Sequence, residues 1–348
     1  MPSIRLTYLL LIILSGFLSC KTDNSNIYSI KDFRKPLQPY LIRIVSKGIG
    51  VCYDSALRNM ASDNELTQLS KSENPILRAC AFQEMLHRKS FNHFDILMNN
   101  LSDTATIPTD AGEFGLIFKT VSDYVIQEGE WNSIEEKNNT IKKVITKHNY
   151  LASAYFIVQK IEPQEQYYSY IKEMAKRDKL FLEIESALYA LAKFKKSEDI
   201  PLIKEFFLKN NWQLDELSFR LMKEYPNDTY LDVFEKYYRR NYYNSICRGS
   251  NDNAMGFINS IAVYNNRRSA VIIDSILNKK PFLNCVADTG YIKSELVYAI
   301  WKNHSEFYSK LRSEVKETVE YYERNRIEFP LDSIELGKDT SKPKIRWW

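Results

Sequence analysis

The chain has 348 residues, of which 44% are hydrophobic, so it can form one elongated domain or two compact ones and is not disordered as a whole. Its net charge of +4 is too small to indicate a nucleic-acid partner, because such proteins carry concentrated basic faces. Only 10 residues are glycine, and none lies between Gly129 and Gly249. Because glycine supplies positive φ angles and loosens helices, its absence predicts one helix after another.

The N-terminus contains an apolar run, Leu6–Leu18, preceded by Arg5. As a helix the run would span about 20 Å, which is shorter than the roughly 30 Å hydrocarbon core of a bilayer. A membrane-spanning helix is therefore not expected. The arginine before the run and the small residues after it are typical of a signal peptide, which we place at residues 1–19.

The residues Phe17-Leu18-Ser19-Cys20 resemble the lipobox of bacterial lipoproteins, in a relaxed form similar to that of Bacteroidota. Ser19 and Cys20 match, whereas Phe17 and Leu18 depart from the usual leucine and small residue. The resemblance implies that Cys20 is the acylated first residue of the mature protein and anchors it in a bilayer, since two or three acyl chains hold firmly. It also implies the cell envelope, at the outer membrane, with the face left open. An ordinary signal peptide with a chance cysteine is the alternative.

The clearest helical pattern lies in residues 72–103, where two apolar stripes flank a polar break at residues 87–90. Asn74 can cap the first helix, and Pro75 lies where a first-turn proline is tolerated. The stripes recur at helical spacing and consist of Ile76, Ala79, Phe82, Met85 and Leu86, and then Phe91, Phe94, Ile96 and Leu97.

Similar helix pairs follow in residues 153–174, 186–207 and 218–238. Prolines fall in or beside their turns, as expected of a residue that cannot lie within a helix; these are Pro163, Pro201 and Pro226. A small residue heads each first helix, which would let neighbouring helices approach closely. These residues are Cys80, Ser122, Ser153, Ser186, Ser218, Ser260 and Ser294.

Pro75, Arg78 and Ala79 in the first helix, with Asp103 after the second, resemble the pattern of HEAT repeats. The resemblance is good over residues 65–105 and weak afterwards. The spacing also fits tetratricopeptide repeats, although their Trp-Leu-Gly-Tyr set does not occur. Helix pairs that repeat in this way indicate an α-solenoid, which is stabilised by stacking between neighbours.

We therefore predict an all-α fold, an α-solenoid of HEAT-like helix pairs over residues 39–325. Residues 20–38 would contain the lipidated cysteine and a polar tether. Residues 326–348 lose helical periodicity and are interpreted as a C-terminal tail.

No catalytic motif occurs in the sequence, which contains neither GxxxxGK, HExxH nor GxSxG. The histidines, His87, His93, His148 and His304, lack the spacing of metal ligands. We therefore expect no catalytic residue, no metal and no cofactor.

Export would permit disulfides. Cys80 lies on an apolar helix face and is expected to be a buried small residue rather than a disulfide partner. Cys247 and Cys285 lie in polar stretches about one repeat apart and are a candidate disulfide. Short Asp-Ser/Thr triplets resemble an O-glycosylation motif of exported Bacteroidota proteins, and Ser333, in the tail, is the most accessible of their hydroxyl positions.

Tyrosine and arginine concentrate in residues 237–244 and again in Asn265–Arg268, and both residue types are enriched at binding hot spots. The candidate binding surface consists of Tyr237, Tyr238, Arg239, Arg240, Tyr242, Tyr243, Arg267 and Arg268. The alternative is the end of a core-packing helix followed by a solvated turn.

The expected function is that of a non-enzymatic, lipid-anchored scaffold that binds a protein of the envelope, because solenoids mostly supply extended binding surfaces. A glycan-binding lipoprotein that uses the Tyr/Arg-rich surface is the alternative. A glycan site should show exposed aromatic rings along a groove, whereas a protein scaffold should show apolar patches rimmed with polar groups. An enzyme would need carboxylates or histidines that converge in one pocket.

Overall fold

The computed structural model of the protein is mostly helical, as the sequence predicts, and it adds one β-hairpin. It describes residues 27–48, 55–110, 116–129, 131, 133–210, 214–247, 251–278 and 290–324. The signal peptide, the lipidation at Cys20 and the tail with Ser333 fall outside these residues and stay predictions. Among the described residues, none of the helices is both long enough and apolar enough to cross a membrane.

The chain divides into two compact units, Met1–Glu130 and Trp131–Trp348. The first unit begins with a 3-10 turn at Ile30–Asp32. Its longer elements are α1 Gln38–Lys47, α2 Ser55–Met60, α3 Asp63–Leu69, α4 Pro75–Leu86, α5 His93–Asn100, β1 Thr106–Asp110, β2 Leu116–Thr120 and α6 Val121–Glu128.

Helix α4 is the centre of the first unit and packs against α1, α3, α5 and α6. It starts as predicted, because the Asn74 side chain accepts hydrogen bonds from the backbone N–H groups of Ile76 and Leu77, at 2.9 and 3.4 Å, and Pro75 follows at the first helical position. Every residue from Ala79 to Leu86 is buried. The helix is therefore enclosed on all sides, which is a stronger burial than its apolar stripe predicts.

Arg78 and Asp103, which carry the resemblance to HEAT repeats, form a bidentate ion pair. Arg78 Nε lies 2.7 Å from Asp103 Oδ2, and Nη2 lies 3.0 Å from Oδ1. Arg78 Nη1 also donates to the backbone oxygen of Ser72, at 2.8 Å. The pair therefore ties the start of α4 to the turn that follows α5.

The β-hairpin is not expected from the sequence. Strands β1 and β2 pair antiparallel from Thr106 opposite Thr120 to Asp110 opposite Leu116, and β1 packs on α4. Ile107 is fully buried, whereas Phe118 is exposed. Proline at position 108, within β1, weakens the strand signal, since proline cannot donate to a β-ladder.

The described part of the segment predicted as a tether, residues 27–38, contacts the first unit. Phe33 and Leu37 are buried, and Tyr28 forms a parallel bridge with Ser72. The described part of this segment is therefore packed as part of the folded first unit.

The second unit begins with the buried Trp131 and consists of helices joined by short turns. Its helices are α7 Ile134–Lys147, α8 Ala152–Lys160, α9 Tyr168–Met174, α10 Phe181–Ala192, α11 Ile200–Asn210, α12 Glu216–Glu224, α13 Leu231–Tyr237, α14 Tyr243–Cys247, α15 Asn251–Ile261, α16 Arg267–Asn278, α17 Gly290–Lys302 and α18 Ser309–Arg324.

Alternate helices of this unit form a row in chain order. Helix α8 packs on α10, α10 on α12, α12 on α15, and α15 on α17. We call α8, α10, α12, α15 and α17 the first-helix row. The helices α11, α13 and α16, which follow members of this row, are likewise neighbours in chain order.

The small residues predicted to head the first helices do not all lie at helix starts, since Cys80 and Ser186 lie in the middle of α4 and α10, and Ser260 lies in the last turn of α15. All but Ser294, which is half-buried, are buried. Ser260 on α15 donates to the backbone oxygen of Phe219 on α12, at 2.6 Å. In the first unit, Ser122 donates to the backbone oxygen of Asp103, at 2.7 Å.

Candidate functional site

Two of the tyrosines expected at the candidate binding surface are in the core. Tyr237 and Tyr242 are each 1% exposed and pack against Phe257, with ring centroids 5.4 and 5.1 Å apart. The prediction that they form a surface is wrong. The cause is a π-helical turn at Tyr238–Tyr242. In an α-helix, residues five apart point about 140° away from each other, and the wider π turn brings both rings to the same buried side.

The remaining members of that surface do not form one cationic patch. Arg239, Arg240 and Arg267 are exposed, whereas Tyr238 and Tyr243 are half-buried with their hydroxyls 3.3 Å apart. Arg268 is neutralised by two carboxylates, since Nη2 lies 2.9 Å from Asp232 and 2.8 Å from Glu235. The segment thus fits the alternative interpretation, the end of a core-packing helix.

The cysteines also differ from expectation. Cys80 is buried, as predicted, but it is disulfide-bonded, so the expectation of an unpaired thiol is wrong. An apolar helix face is typical of free buried cysteine and of buried disulfides alike, so its position could not distinguish them. The candidate pair Cys247 and Cys285 falls outside the residues whose side chains are described.

A buried carboxyl group lies within the first-helix row. Glu185 on α10 is fully buried and accepts a hydrogen bond from the Ser218 hydroxyl on α12. Its Oε2 has no hydrogen-bond partner of normal geometry. Burial, reinforced by the nearby Asp215 carboxylate, raises the pKa of Glu185 to about 9. The group is therefore protonated and uncharged at neutral pH.

The described residues of the second unit form a pocket of about 460 Å³ at the carboxyl ends of α12, α15 and α17. We call it the row pocket. It is lined by Lys223, Asn259, Ala262, Val263, Asn265, Tyr298, Ala299, Lys302, Asn303, His304 and Ser305. Its volume lies within the range of ligand-binding pockets.

The bottom of the row pocket is apolar and is held in place by an asparagine. Ala262 and Ala299 are buried there. Asn303 donates through Nδ2 to the backbone oxygen of Ala262, at 2.5 Å, and its Oδ1 accepts from the backbone N–H of Ser305, at 3.0 Å. The Ser305 hydroxyl is buried and has no hydrogen-bond partner. It is a polar group that a ligand could satisfy.

Basic side chains line the mouth of the row pocket. Lys302 is exposed, and its Nζ lies 5.1 Å from the centroid of the Tyr298 ring. Lys223 contributes a second ammonium group. His304 Nδ1 lies 3.1 Å from Nη1 of Arg312.

The titratable groups of the row pocket and the possible metal ligands concern only the residues that the structure describes. In the part of the chain that the structure describes, no three His, Cys, Asp or Glu side chains are placed to hold a metal ion. The residues that line the row pocket include no carboxylate. The titratable side chains in the lining are Lys223, Lys302 and His304.

Sequence reasoning could not find the row pocket, because its residues come from three helices about 40 residues apart and share no local motif. The Asn265–Arg268 segment, which the sequence analysis assigned to the candidate binding surface, does include one pocket residue, Asn265.

In comparisons with known proteins, the chain matches no protein-family model, no curated protein and no solved structure.

Proposed function

We propose that the protein is a lipid-anchored α-solenoid of HEAT-like helix pairs in the cell envelope, and that it binds a protein partner along its first-helix row. One observation carries the binding role: the row pocket has an apolar bottom and a rim of lysine and amide groups. Apolar patches with polar rims are typical of protein-binding surfaces.

The architecture supports the proposal. In the second unit the first helices pack in chain order, which is the nearest-neighbour stacking of solenoids. In the first unit the Arg78–Asp103 ion pair links two positions of the HEAT-like pattern. The disulfide at Cys80 supports export, because disulfides persist in oxidising compartments.

Glycan binding has less support. It was expected at the tyrosine-rich segment, where Tyr237 and Tyr242 are buried. In the row pocket, the Tyr298 ring faces the Lys302 ammonium group, so this face is not open for stacking on a sugar.

Site-specific photo-crosslinking in native membranes tests the proposed function. A photoreactive residue at Val263, in the row pocket, should give a discrete adduct with one envelope protein. The matched control is Val271 on α16, which is 56% exposed but does not line the pocket. The same adduct pattern from both positions, or no adduct from Val263, would contradict binding at the row pocket.

A Cys20→Ser variant tests the proposed lipid anchor in the same native membranes. The Cys20→Ser variant should move to the soluble fraction and lose the mass of its lipid. Retention of this variant in the membrane, together with an unlipidated wild-type mass, would remove the anchor from the proposal.

A further inference from the structure

We propose that the second unit docks on a bilayer surface with anionic headgroups through an exposed apolar patch near the amino ends of α8 and α10. The patch consists of Phe156, Leu180 and Leu182, and we call it the apolar edge. The proposal rests on the proposed lipid anchor for bringing a bilayer within reach. The contact itself is a second one, which side chains make.

The apolar edge is exposed beyond what the packing of the fold uses. Leu180 is 75% exposed, Leu182 is 56% exposed and Phe156 is 38% exposed. Phe181, between the two leucines, stacks on Phe206 of α11 with ring centroids 5.1 Å apart. The start of α10 is therefore held in place by Phe181, while the leucine on each side of it lies in solvent. Adjacent exposed apolar side chains of this kind mark contact sites with proteins or membranes.

Helices α8 and α10 run parallel, so their amino ends lie side by side. At those ends, Lys179 Nζ donates to the backbone oxygen of Tyr150, at 3.0 Å. At the other ends, Lys193 Nζ donates to the backbone oxygen of Ile161, also at 3.0 Å. The turns before α8 and before α10 therefore form one end of this helix pair.

A contact between the two helices places the members of the apolar edge near one another. The Ser186 hydroxyl donates to Gln159 Oε1, at 3.4 Å. Phe156 lies one turn before Gln159, and Leu182 lies one turn before Ser186. Residues three and four apart share a helix face, so Phe156 and Leu182 lie at a similar level on neighbouring helices. Leu180 adjoins Leu182 at the start of α10.

The same end of the helix pair carries an excess of positive charge. Residues 142–151 and 173–183, which form it, contain six lysines and arginines against three aspartates and glutamates. The excess of three persists when these residues pair among themselves, because each pair removes one charge of either sign. The ion pair of Arg177 with Glu173, at 2.5 Å, is of this kind. Within the described part of the chain, Lys147 and Lys176 are exposed and form no ion pair.

A buried histidine at this end is in a positive potential. The pKa of His148 lies below its ordinary value because of burial and, after that, because of the ammonium groups of Lys143 and Lys147. The amino ends of α8 and α10 add the partial positive charge of helix N-termini. The apolar edge is therefore surrounded by groups that attract anions.

This combination favours a bilayer over a protein. A bilayer interface takes up exposed leucine side chains without a complementary pocket, while lysines beside them contact anionic headgroups. The partly exposed ring of Tyr150, next to Lys179, adds a residue type that is enriched at membrane interfaces. A protein partner would need a cavity that matches Leu180 and Leu182.

The apolar edge should bind weakly when it acts alone. A single myristoyl chain gives only marginal, reversible binding, and three side chains insert less apolar surface than an acyl chain does. The apolar edge would therefore orient a protein that the lipid already holds. An unacylated chain should still leave the membrane during fractionation, and its binding becomes measurable when lipid is in large excess.

Co-sedimentation with lipid vesicles tests the proposal. The protein is the unacylated mature chain, residues 20–348 with Cys20→Ser. The vesicles contain phosphatidylcholine and phosphatidylglycerol in equal parts, and vesicles of phosphatidylcholine alone are the control. We expect the bound fraction to rise to saturation with anionic lipid, to be at least about fivefold smaller in partition coefficient on neutral lipid, and to fall as salt is added.

Variants locate the contact. Leu180→Ser combined with Leu182→Ser should lower the partition coefficient at least about tenfold, because both side chains lose their apolar insertion. Lys176→Gln should lower it about fivefold on anionic vesicles only. The matched controls are Val271→Ser on α16, at a position 56% exposed, and Lys310→Gln on α18, whose side chain is 79% exposed. Each control should change the partition coefficient less than about twofold, and circular dichroism establishes that each variant folds.

Three results would overturn the proposal. The first is no binding to anionic vesicles in lipid excess. The second is binding that the double leucine variant leaves unchanged, which would indicate ionic adsorption alone. The third is a photoreactive residue at Leu182 that, in native membranes, gives a discrete protein adduct instead of lipid adducts. Because the vesicle assay uses an unacylated chain and pure lipid, its failure leaves the Cys20 and Val263 tests of the proposed function intact, and the reverse also holds.

Discussion

At the scale of single residues, burial has changed the chemistry of groups that look ordinary in the sequence. Glu185 lies in a helix with no motif around it, yet in the structure it is enclosed between α10 and α12 beside Asp215. A carboxylate that loses water and meets a second carboxylate is costly to ionise, so it keeps its proton. Nothing in its sequence neighbourhood shows this, because the second carboxylate lies 30 positions away.

The buried carboxyl group predicts a pH dependence of stability. Its folded pKa of about 9 exceeds the ordinary value of 4.5, so above pH 4.5 the unfolded chain releases a proton that the folded chain retains. The free energy of unfolding should therefore fall as pH rises from about 4.5 towards 9. Glu185→Gln, which mimics the protonated group, should match the wild type near pH 4.5 and exceed its stability by about 1–3 kcal/mol at pH 8.

Urea unfolding at a series of pH values measures this difference. Glu317→Gln on α18 makes the same substitution at an exposed position and should give a difference that does not grow with pH. Parallel pH profiles for wild type and Glu185→Gln would show that Glu185 is not held protonated.

At the scale of elements, a repeated turn organises the second unit. A 3-10 turn precedes each of α9, α11, α13, α16 and α18, and the last residue of each turn is buried. In order these residues are Tyr167, Asp199, Tyr230, Tyr264 and Tyr308. Four of the five are tyrosines, so a large ring is buried at the end of most of these turns. Sequence reasoning used the prolines near the turns and missed this residue.

Two of these tyrosines differ in one contact and form a matched pair. The Tyr264 hydroxyl donates to the backbone oxygen of Met222, at 2.9 Å, whereas the Tyr230 hydroxyl is buried without a partner. Tyr264→Phe should therefore lower the free energy of unfolding by about 1 kcal/mol, and Tyr230→Phe should leave it unchanged or raise it by up to about 1 kcal/mol, since it removes an unsatisfied buried group. Thermal and urea unfolding measure both. Equal destabilisation by the two variants would contradict these contacts.

The elements that could be predicted are those with strong local signals. Asn74 and Pro75 mark the start of α4, and the break at residues 87–90 separates α4 from α5. The β-hairpin and the π-helical turn could not be predicted, because each depends on packing that overrides local preference. The π-helical turn also explains why the predicted Tyr/Arg binding surface does not form. A pattern read at α-helical spacing places Tyr242 on the exposed side of the helix, whereas the π-helical turn places it on the buried side.

At the scale of the whole molecule, composition left open one elongated domain or two compact ones, and the contacts divide the chain into two units. The candidate site was beyond prediction because stacking brings Lys223, Asn259 and Lys302 together from positions far apart in the chain. The lipoprotein signal at the N-terminus stays a prediction. The Cys80 disulfide agrees with the export that this signal would bring about, because disulfides persist in oxidising compartments.

The compartment therefore determines the covalent state of the folded protein. Protein recovered from the envelope should have Cys80 blocked to alkylation under non-reducing conditions. The chain expressed without residues 1–19 in a reducing cytoplasm should have Cys80 in its thiol form, and its free energy of unfolding should be lower by about 2–4 kcal/mol until it is oxidised. Mass spectrometry of the alkylated peptide and thermal unfolding measure the two effects. As a control, Cys80→Ala should abolish the stability difference between oxidised and reduced protein, because no disulfide can then form at this position. Quantitative alkylation of Cys80 in envelope-derived protein would show that this disulfide does not form.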